Sequence, residues 1–224
     1  LIGGVEQPQR STAAPPAVWV TDYADFSNKY GLSYRMSSGH TGVHFNDSTK
    51  MVWEPITNKA EYYARVKETV HGVVHACDQR TPFVMDTFPD ALNKKVTLIK
   101  YFKSYLLKAK GKKDGVEVVP CCPYKGSGTP VLLTEPHMVN DMIYVKRWMQ
   151  TQQAMIFRLS NKTIQVCFFD KTEVILMSEQ KSVAYTDASG HRLTMPLSAV
   201  SSQSEEVSSR LKYTKDILCK LIST

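Results

Sequence analysis

The sequence predicts an α+β fold in which one strand-rich unit occurs twice, each copy being closed by a C-terminal helix. Three observations support this prediction. A strand-like block repeats at an offset of 123 residues, a second block repeats at an offset of 112, and the second block has helical spacing. Because the two blocks come in the same order in both copies, the repeats indicate duplication of one folded unit.

The first repeated block is strand-like. Residues 34–52 align without a gap on residues 157–175, and six of the 19 pairs are identical. Both copies alternate polar and apolar side chains and contain turn signals, which is typical of an antiparallel meander. The identical pairs are Arg35/Arg158, Ser37/Ser160, Val43/Val166, Phe45/Phe168, Asp47/Asp170 and Thr49/Thr172.

Further strands are predicted after this block. In the first copy they fall around Val70–Ala76 and Phe83–Thr87. In the second they fall around Val183–Thr186 and Arg192–Met195, joined by a turn at Ser189-Gly190.

The second repeated block is helical. Residues 98–108 align on residues 210–220, and apolar side chains recur every three or four positions in both copies. Pro89-Asp90 is the predicted start of the first helix, and Ser202 with Glu205 forms a capping-box pattern ahead of the second. One amphipathic helix per copy would cover one face of each sheet.

These blocks divide the chain into four parts. We expect an N-terminal linker over residues 1–17, a first unit over 18–108, a linker rich in Lys, Gly and Pro over 109–139, and a second unit over 140–224. Between its two blocks the second copy is 11 residues shorter. Since the chain starts at Leu1 without a methionine, we expect a fragment of a longer protein.

Composition and charge restrict the function. Hydrophobic residues make up 42% of the chain, which allows a packed core, and no apolar run approaches the length of a membrane span. The formal charge of +7 favours an anionic partner or reflects ordinary solubility. Without a dense arginine stripe or a nucleic-acid motif, nucleic acid is not an expected partner.

Residue patterns that carry chemistry are weak. The glycine-rich stretch at residues 125–128 has no strand before it, and His71, His75 and Cys77 lack a second ligand pair, so neither a nucleotide nor a metal site is predicted. Cys167 lies in an apolar strand and is expected to be buried. Five cysteines without CxxC spacing fit a reducing compartment. We therefore expect a non-catalytic binding module.

Several segments resemble the tandem polo boxes of polo-like kinases. Residues 18–31 (VWVTDYADFSNKYG) and 43–49 (VHFNDST) are similar to the opening of the first box, and residues 95–102 (KVTLIKYF) to its helix. Residues 144–148 (YVKRW) and 158–161 (RLSN) through Phe168-Phe169 resemble the second box. The duplication, found independently, is what a tandem polo-box domain requires.

The resemblance implies two boxes, each a six-stranded antiparallel sheet packed with a C-terminal helix and related by a pseudo-twofold duplication. It implies a domain without a cofactor of its own, C-terminal to a Ser/Thr kinase domain that uses ATP and magnesium. Such a domain binds Ser-phosphoSer/Thr peptides in the cleft between its boxes and restrains its kinase domain in cis. It directs the kinase, in cytoplasm and nucleus, to centrosomes or basal bodies, kinetochores and other mitotic cytoskeletal structures.

The resemblance also carries site residues onto this chain. Tyr23 stands where the family has a tryptophan that packs on the peptide. Asp25 stands where the family contacts the peptide through polar backbone groups. Leu106 and Leu107 resemble a Leu-Leu-Lys segment that pairs with the peptide backbone. An apolar groove beside the cleft matches Ala24, Phe26, Tyr30, Tyr101, Phe102 and Tyr105; these residues are equally compatible with the core.

The phosphate site departs from the family. Lys171 falls on a histidine position and Glu173 on a lysine position, and a glutamate beside a phosphate is repulsive. Two hypotheses therefore stay open: a phosphopeptide-dependent targeting module, and a phosphate-independent scaffold or homodimerisation module on the same fold. The family carries a capping helix ahead of the first box, whereas residues 1–16 have no helical periodicity. Either the fragment excludes that helix or the protein lacks it, and an uncapped surface could support a homodimer.

Overall fold

Two antiparallel sheets, each covered by one long helix, form the described part of the protein. The computed structural model describes residues 14–71, 73–108, 115–121, 142–202 and 205–223. The first sheet contains β1 (Val20–Phe26), β2 (Gly31–Met36), β3 (Thr41–Phe45), β4 (Lys50–Trp53), β5 (Lys59–Val70), β6 (Val73–Val84) and β7 (Val118–Pro120). The second contains β8 (Val145–Gln150), β9 (Ala154–Leu159), β10 (Thr163–Phe168), β11 (Glu173–Met177), β12 (Ser182–Thr186) and β13 (Arg192–Pro196). The helices are α1 (Asn93–Lys108) and α2 (Glu205–Ser223).

Both sheets are meanders. Strands β1 to β6 and strands β8 to β13 lie in sequence order, and each pairs antiparallel with the next, which confirms the predicted duplicated α+β fold. The first sheet differs from the expected six strands because β7 adds at the outer edge of β1. Strand β7 comes from the predicted 109–139 linker, so part of that linker belongs to the first sheet.

The sheets lie face to face, with a helix on the outer face of each. Helix α1 and one face of the first sheet share a core, and α2 shares another with the second sheet. A third cluster, which includes Tyr34 of β2 and Phe157 of β9, joins the two sheets. Because both faces of each sheet are covered, a strand such as β10 is buried along its whole length.

The hairpin of β5 and β6 accounts for the length difference between the copies. It runs from Lys59 to Val84, whereas its counterpart β12–β13 runs from Ser182 to Pro196, a difference of 11 residues. Only Ala60–Tyr63 of β5 pairs with β4, so the rest of the hairpin extends past the sheet. The prediction of a single strand over 70–76 is wrong, because the hairpin turn at His71 falls inside it.

The repeated Asp-x-Thr sequence forms the same turn in each copy. Thr49 donates its backbone N–H to Asp47 at 3.0 Å, and Thr172 donates likewise to Asp170 at 3.0 Å. The residue between them takes a left-handed conformation, Ser48 in the first box and Lys171 in the second. The duplicated motif thus presents a different side chain at the same place in each box.

The helices begin close to the predicted positions. A short 3-10 helix starts at Asp90 and leads into α1, as the Pro89-Asp90 signal indicated. Helix α2 begins at Glu205, and Ser202 ends a 3-10 segment just before it. The predicted capping contact between Ser202 and Glu205 lies outside the described side chains.

Candidate functional site

A polar side chain in the second sheet joins the two boxes. Gln165, in the middle of β10, accepts a hydrogen bond from the backbone N–H of Val20 and donates one to its carbonyl, both at 2.7 Å. The amide therefore pairs with β1 as a neighbouring strand would. It is completely buried, so these two bonds have no competition from water.

Glu173 completes this buried network and does not face the cleft. Its carboxylate accepts hydrogen bonds from Gln165 at 2.7 Å, Thr186 at 3.2 Å and Arg192 at 2.6 Å. Burial raises the pKa of Glu173, and Arg192 beside it opposes that rise. With 0% of the residue exposed, the prediction that Glu173 contacts a peptide is wrong, because its strand position points it into the sheet interface.

A second buried ionic group crosses between the boxes. Lys50 is 1% exposed and forms an ion pair with Asp78 at 2.7 Å. The other oxygen of Asp78 accepts a hydrogen bond from the hydroxyl of Tyr144, which precedes β8. Nearby, Glu61 accepts a bond from the backbone N–H of Met142 at 2.8 Å. The base of the long hairpin is thereby fixed to the second box.

His44 gives this interface a predicted pH dependence. Burial, and then the charge of Lys50, lower the pKa of His44 to about 4 from 6.5. The unfolded state therefore binds the proton more tightly, and we expect the free energy of unfolding to fall as the pH drops from about 6.5 to about 4. Urea unfolding across that range should show a smaller loss for His44→Gln than for the unchanged protein.

Other groups contribute to the slope that remains in the variant. Burial also lowers the pKa of His40, so a contribution of the same sign remains in the His44→Gln variant. Burial raises the pKa of Glu173, so this group contributes a slope of opposite sign above its ordinary value of 4.5. The lowered pKa of Asp78 acts in a different window, because the stability from that group is lost below its ordinary value of 3.8. Identical slopes for variant and parent between pH 6.5 and 4 would contradict the assignment.

A cleft lies between the two boxes beside β1. It contains two adjoining cavities, of about 360 Å³ and about 540 Å³, which share Tyr23, Val119 and Phe169 in their walls. The smaller is bordered by Lys171, and the larger by Asp25. Residues predicted from both boxes to bind a peptide are therefore brought to one cleft.

Tyr23 and Asp25 are held firmly at this cleft. The ring of Tyr23 is buried and meets Phe157 of the second sheet edge-on, with 5.6 Å between centroids. Burial raises the pKa of Tyr23, so its hydroxyl stays protonated. Asp25 is partly buried and accepts a hydrogen bond from the N–H of Ser27 at 2.8 Å, which fixes the carboxylate at the end of β1.

Lys171 is the cation of the cleft among the described lining residues. It occupies the β10–β11 turn with φ 71°, its N–H bonded to the Phe168 carbonyl at 3.0 Å. Its side chain is exposed, and Phe169, 48% exposed, lies beside it. Because a hydrogen bond fixes the backbone of this turn, the Lys171 side chain is held where its positive charge can lie at the opening of the cleft.

Two thiols line the smaller cavity. Cys121, which follows β7, and Cys167 of β10 are both buried, and a hydrogen bond connects their side chains. Burial raises the pKa of Cys167 well above its ordinary range. Because the reactive form of cysteine is the thiolate, burial disfavours the reactive form of this thiol, and its buried position is the one that its apolar strand predicted.

The predicted apolar groove is largely core. Ala24, Phe26, Phe102 and Tyr105 are buried between α1 and the first sheet, because β1 and α1 turn these side chains toward each other. Of the set, Tyr101 is 47% exposed and Tyr30 is partly buried. The groove prediction is therefore wrong for its four buried members.

The Leu-Leu segment lies at the C-terminal end of α1. Leu106 is buried in the core and Leu107 is 59% exposed, but both lie in the last turn of α1. Their N–H groups are bonded within the helix, so only carbonyls are left to accept bonds. Contact of this segment with a peptide backbone through those carbonyls stays a prediction.

Sequence reasoning missed several residues that build the interface. Gln165 had a signal, since it is a polar residue inside an apolar strand. Lys50, Asp78 and Val119 had none, because their roles depend on contacts with distant parts of the chain.

Two further properties concern the described residues only. They contain no cluster of three or more His, Cys, Asp or Glu side chains placed to hold a metal ion; the side chain of His75 is not among them. None of their helices is both long and apolar enough to cross a membrane.

The chain belongs to the polo-box family. The family described as "POLO box duplicated region" matches residues 28–96 and 151–211, one range within each copy of the repeated unit. The duplication found in the sequence is thus a defining property of the family.

Individual relatives and solved structures agree. The chain is 41% identical over 168 residues to the probable serine/threonine-protein kinase CCRP1 of Zea mays, covering 75% of this chain and 23% of that protein. It is 31% identical over 219 residues to the serine/threonine-protein kinase PLK1 of Xenopus tropicalis, covering 95% and 32%. The chain therefore spans a third or less of these relatives.

The polo-box domain of budding yeast Cdc5 has the same fold. Its crystal structure in complex with an Spc72 phosphopeptide matches with a TM-score of 0.65 at 20% identity, covering 92% of this chain and 70% of that one. A further crystal structure of the Cdc5 polo-box domain matches with a TM-score of 0.66 at 20% identity, covering 97% and 82%.

Proposed function

We propose that this chain is the non-catalytic targeting domain of a polo-like Ser/Thr kinase and binds Ser/Thr-phosphorylated peptides in the cleft between its boxes. One observation carries the proposal: Tyr23 and Asp25 of the first box and Lys171 of the second border adjoining cavities. The complex of the similar Cdc5 domain with a phosphopeptide supports it. ATP and magnesium would belong to the kinase domain, which this domain would restrain in cis.

The burial of Glu173 strengthens the phosphate hypothesis. A carboxylate at the cleft surface would repel a phosphate dianion. Since Glu173 is bonded to Gln165 and Arg192 inside the protein, that repulsion is removed and Lys171 acts on the phosphate without it. Targeting through such peptides would direct the kinase to centrosomes or basal bodies, kinetochores and other mitotic structures, in cytoplasm and nucleus.

A phosphate-independent binding module is the second candidate. It is favoured by the charge of the cleft: among the described lining residues Lys171 is the cation, while Asp25 and Glu117 are acidic. The two candidates differ in one measurable quantity, the affinity ratio between a peptide and its phosphorylated form.

Calorimetric titration with a Ser-phosphoThr peptide and its unphosphorylated twin decides between them. We expect the phosphopeptide to bind more tightly, and Lys171→Asn to weaken only the phosphopeptide, by about tenfold, because a charge-assisted hydrogen bond is lost. Asparagine is chosen because it tolerates the left-handed backbone. Equal affinity for the twins would favour the second candidate.

A matched control lies at the other end of β10. Lys162 is exposed, has φ 63° and also lies in a hairpin turn, but it is not among the cleft residues. Lys162→Asn removes one positive charge from a residue with the same left-handed backbone conformation, but at a position away from the cleft. An equal effect of both substitutions would show that Lys171 acts through net charge alone.

A further inference from the structure

The sheet edge that borders the cleft is covered by a strand that belongs to neither repeat. Strand β7 pairs antiparallel with β1 and matches Pro120 with Asp22, Val119 with Tyr23 and Val118 with Ala24. In the second box β8 takes the place of β1, and the described strand order of that sheet ends there. Among the described residues the second box has no counterpart of β7, so β7 is an addition to the described repeated unit.

The segment around β7 forms one wall of the cleft from end to end. Val119 borders both cavities, Pro120 and Cys121 border the smaller, and residues 115–117 border the larger. An extended peptide commonly binds by adding a strand to an open sheet edge. At β1, beside Tyr23, the N–H and C=O groups needed for this are directed at β7.

We propose that β7 is an intramolecular competitor that occupies the edge of β1 with which an extended peptide would pair, so that peptide binding requires its release. The inference rests on the proposed peptide-binding function and adds a regulation of the same cleft. While β7 is docked, only a fraction of the molecules is competent, and the apparent affinity is reduced by that fraction. Anything that pulls on the linker would change the affinity without touching the cleft.

Hydrogen bonds hold the segment around β7 at its two ends. The Tyr105 hydroxyl donates to the Val116 carbonyl at 2.6 Å, and the N–H of Cys121 donates to the Thr21 carbonyl at 2.9 Å. Between them only three residues pair with β1, and Pro120 has no N–H to donate. Val118 and Val119 are partly buried and pack against the α1 core and the core between the sheets, so a peptide that replaces β7 must also replace these apolar contacts.

Tyr105→Phe tests the inference with little risk to the fold. It removes the hydroxyl that holds Val116 but keeps the ring against Phe26, where the centroids are 5.2 Å apart. We expect affinity for the Ser-phosphoThr peptide to rise about two- to tenfold, the effect of losing one hydrogen bond. Replacing Val118–Pro120 with Gly-Ser-Gly should raise it by about tenfold or more, since the paired strand is lost.

Tyr213→Phe is the matched control. It removes a tyrosine hydroxyl from α2, where the partner is Thr151 at 2.8 Å, and leaves β7 untouched, so peptide affinity should not change. Hydrogen exchange gives an independent readout: residues 116–121 should exchange faster when peptide is bound, because β7 is released.

The outcomes separate the two proposals. If the unchanged protein, Tyr105→Phe and the Gly-Ser-Gly replacement all bound the phosphopeptide with equal affinity, competition by β7 would be overturned. Weaker binding by those variants would also overturn it and would make β7 the strand on which the peptide pairs. Failure of the unchanged protein and of every variant to bind the phosphopeptide would instead refute the proposed function, and the inference with it.

Discussion

Replacing Glu173 with alanine is expected to lower the free energy of unfolding by about 3–5 kcal/mol, the usual cost of removing one partner of a buried ion pair. Arg192 would keep its charge in a site where its side chain is 4% exposed, and Gln165 would lose an acceptor at 2.7 Å. Gln165 also bonds the backbone of Val20, so the loss should loosen the contact between the boxes. Urea unfolding at neutral pH measures the effect.

Glu179→Ala is the control for this change. Glu179 lies in the same box and pairs with Lys162 at 3.2 Å, but both side chains are more than half exposed. An exposed pair contributes about 0–1 kcal/mol, so this variant should unfold almost like the parent. If Glu173→Ala were equally mild yet altered phosphopeptide affinity directly, the carboxylate would belong in the cleft, as the family alignment had placed it.

Lys50→Met is expected to cost a similar amount, about 3–5 kcal/mol. Methionine keeps the length and the apolar contacts of the lysine stem but removes the ammonium group, which leaves the Asp78 carboxylate buried with the Tyr144 hydroxyl at 3.0 Å. Since Tyr144 belongs to the second box, the variant should also weaken the attachment of the long β5–β6 hairpin to that box. Thermal and urea unfolding measure the first effect, and hydrogen exchange in the hairpin measures the second.

A double-mutant cycle identifies the cause. Removing both charges in Lys50→Met with Asp78→Leu should be less destabilising than the sum of the single changes, by about 0.5–3 kcal/mol, because no uncompensated charge remains. Additive losses would show that packing, not the ion pair, gives Lys50 its effect. Lys162→Met, at an exposed pair, should change stability by no more than about 1 kcal/mol.

Local patterns predicted a large part of the fold. The helix start at Asp90 and the Ser189-Gly190 turn depend on residues a few positions apart, and both are present. The hairpin turn at His71 was missed because apolar residues on both sides of it imitate one continuous strand.

The candidate site was predictable only in part. Tyr23, Asp25 and Lys171 were carried over from the family and do meet at the cleft. Glu173 was expected at the cleft but is buried, because successive side chains of a strand point to opposite faces and an error of one residue along the strand changes the face. The same reason explains Phe26 and Tyr105, which face the α1 core.

By itself the sequence determined that this protein is a duplicated unit of strands closed by a helix, and it identified the family to which the unit belongs. Strand alternation, helical spacing and turn residues are local properties, so they can be read in sequence order. Only the tertiary structure decided what lies between the two units. It buried Glu173 with Arg192, joined Lys50 to Tyr144 through Asp78, and brought β7 to the edge of β1. Those contacts connect residues far apart in the chain and depend on packing that no local pattern records.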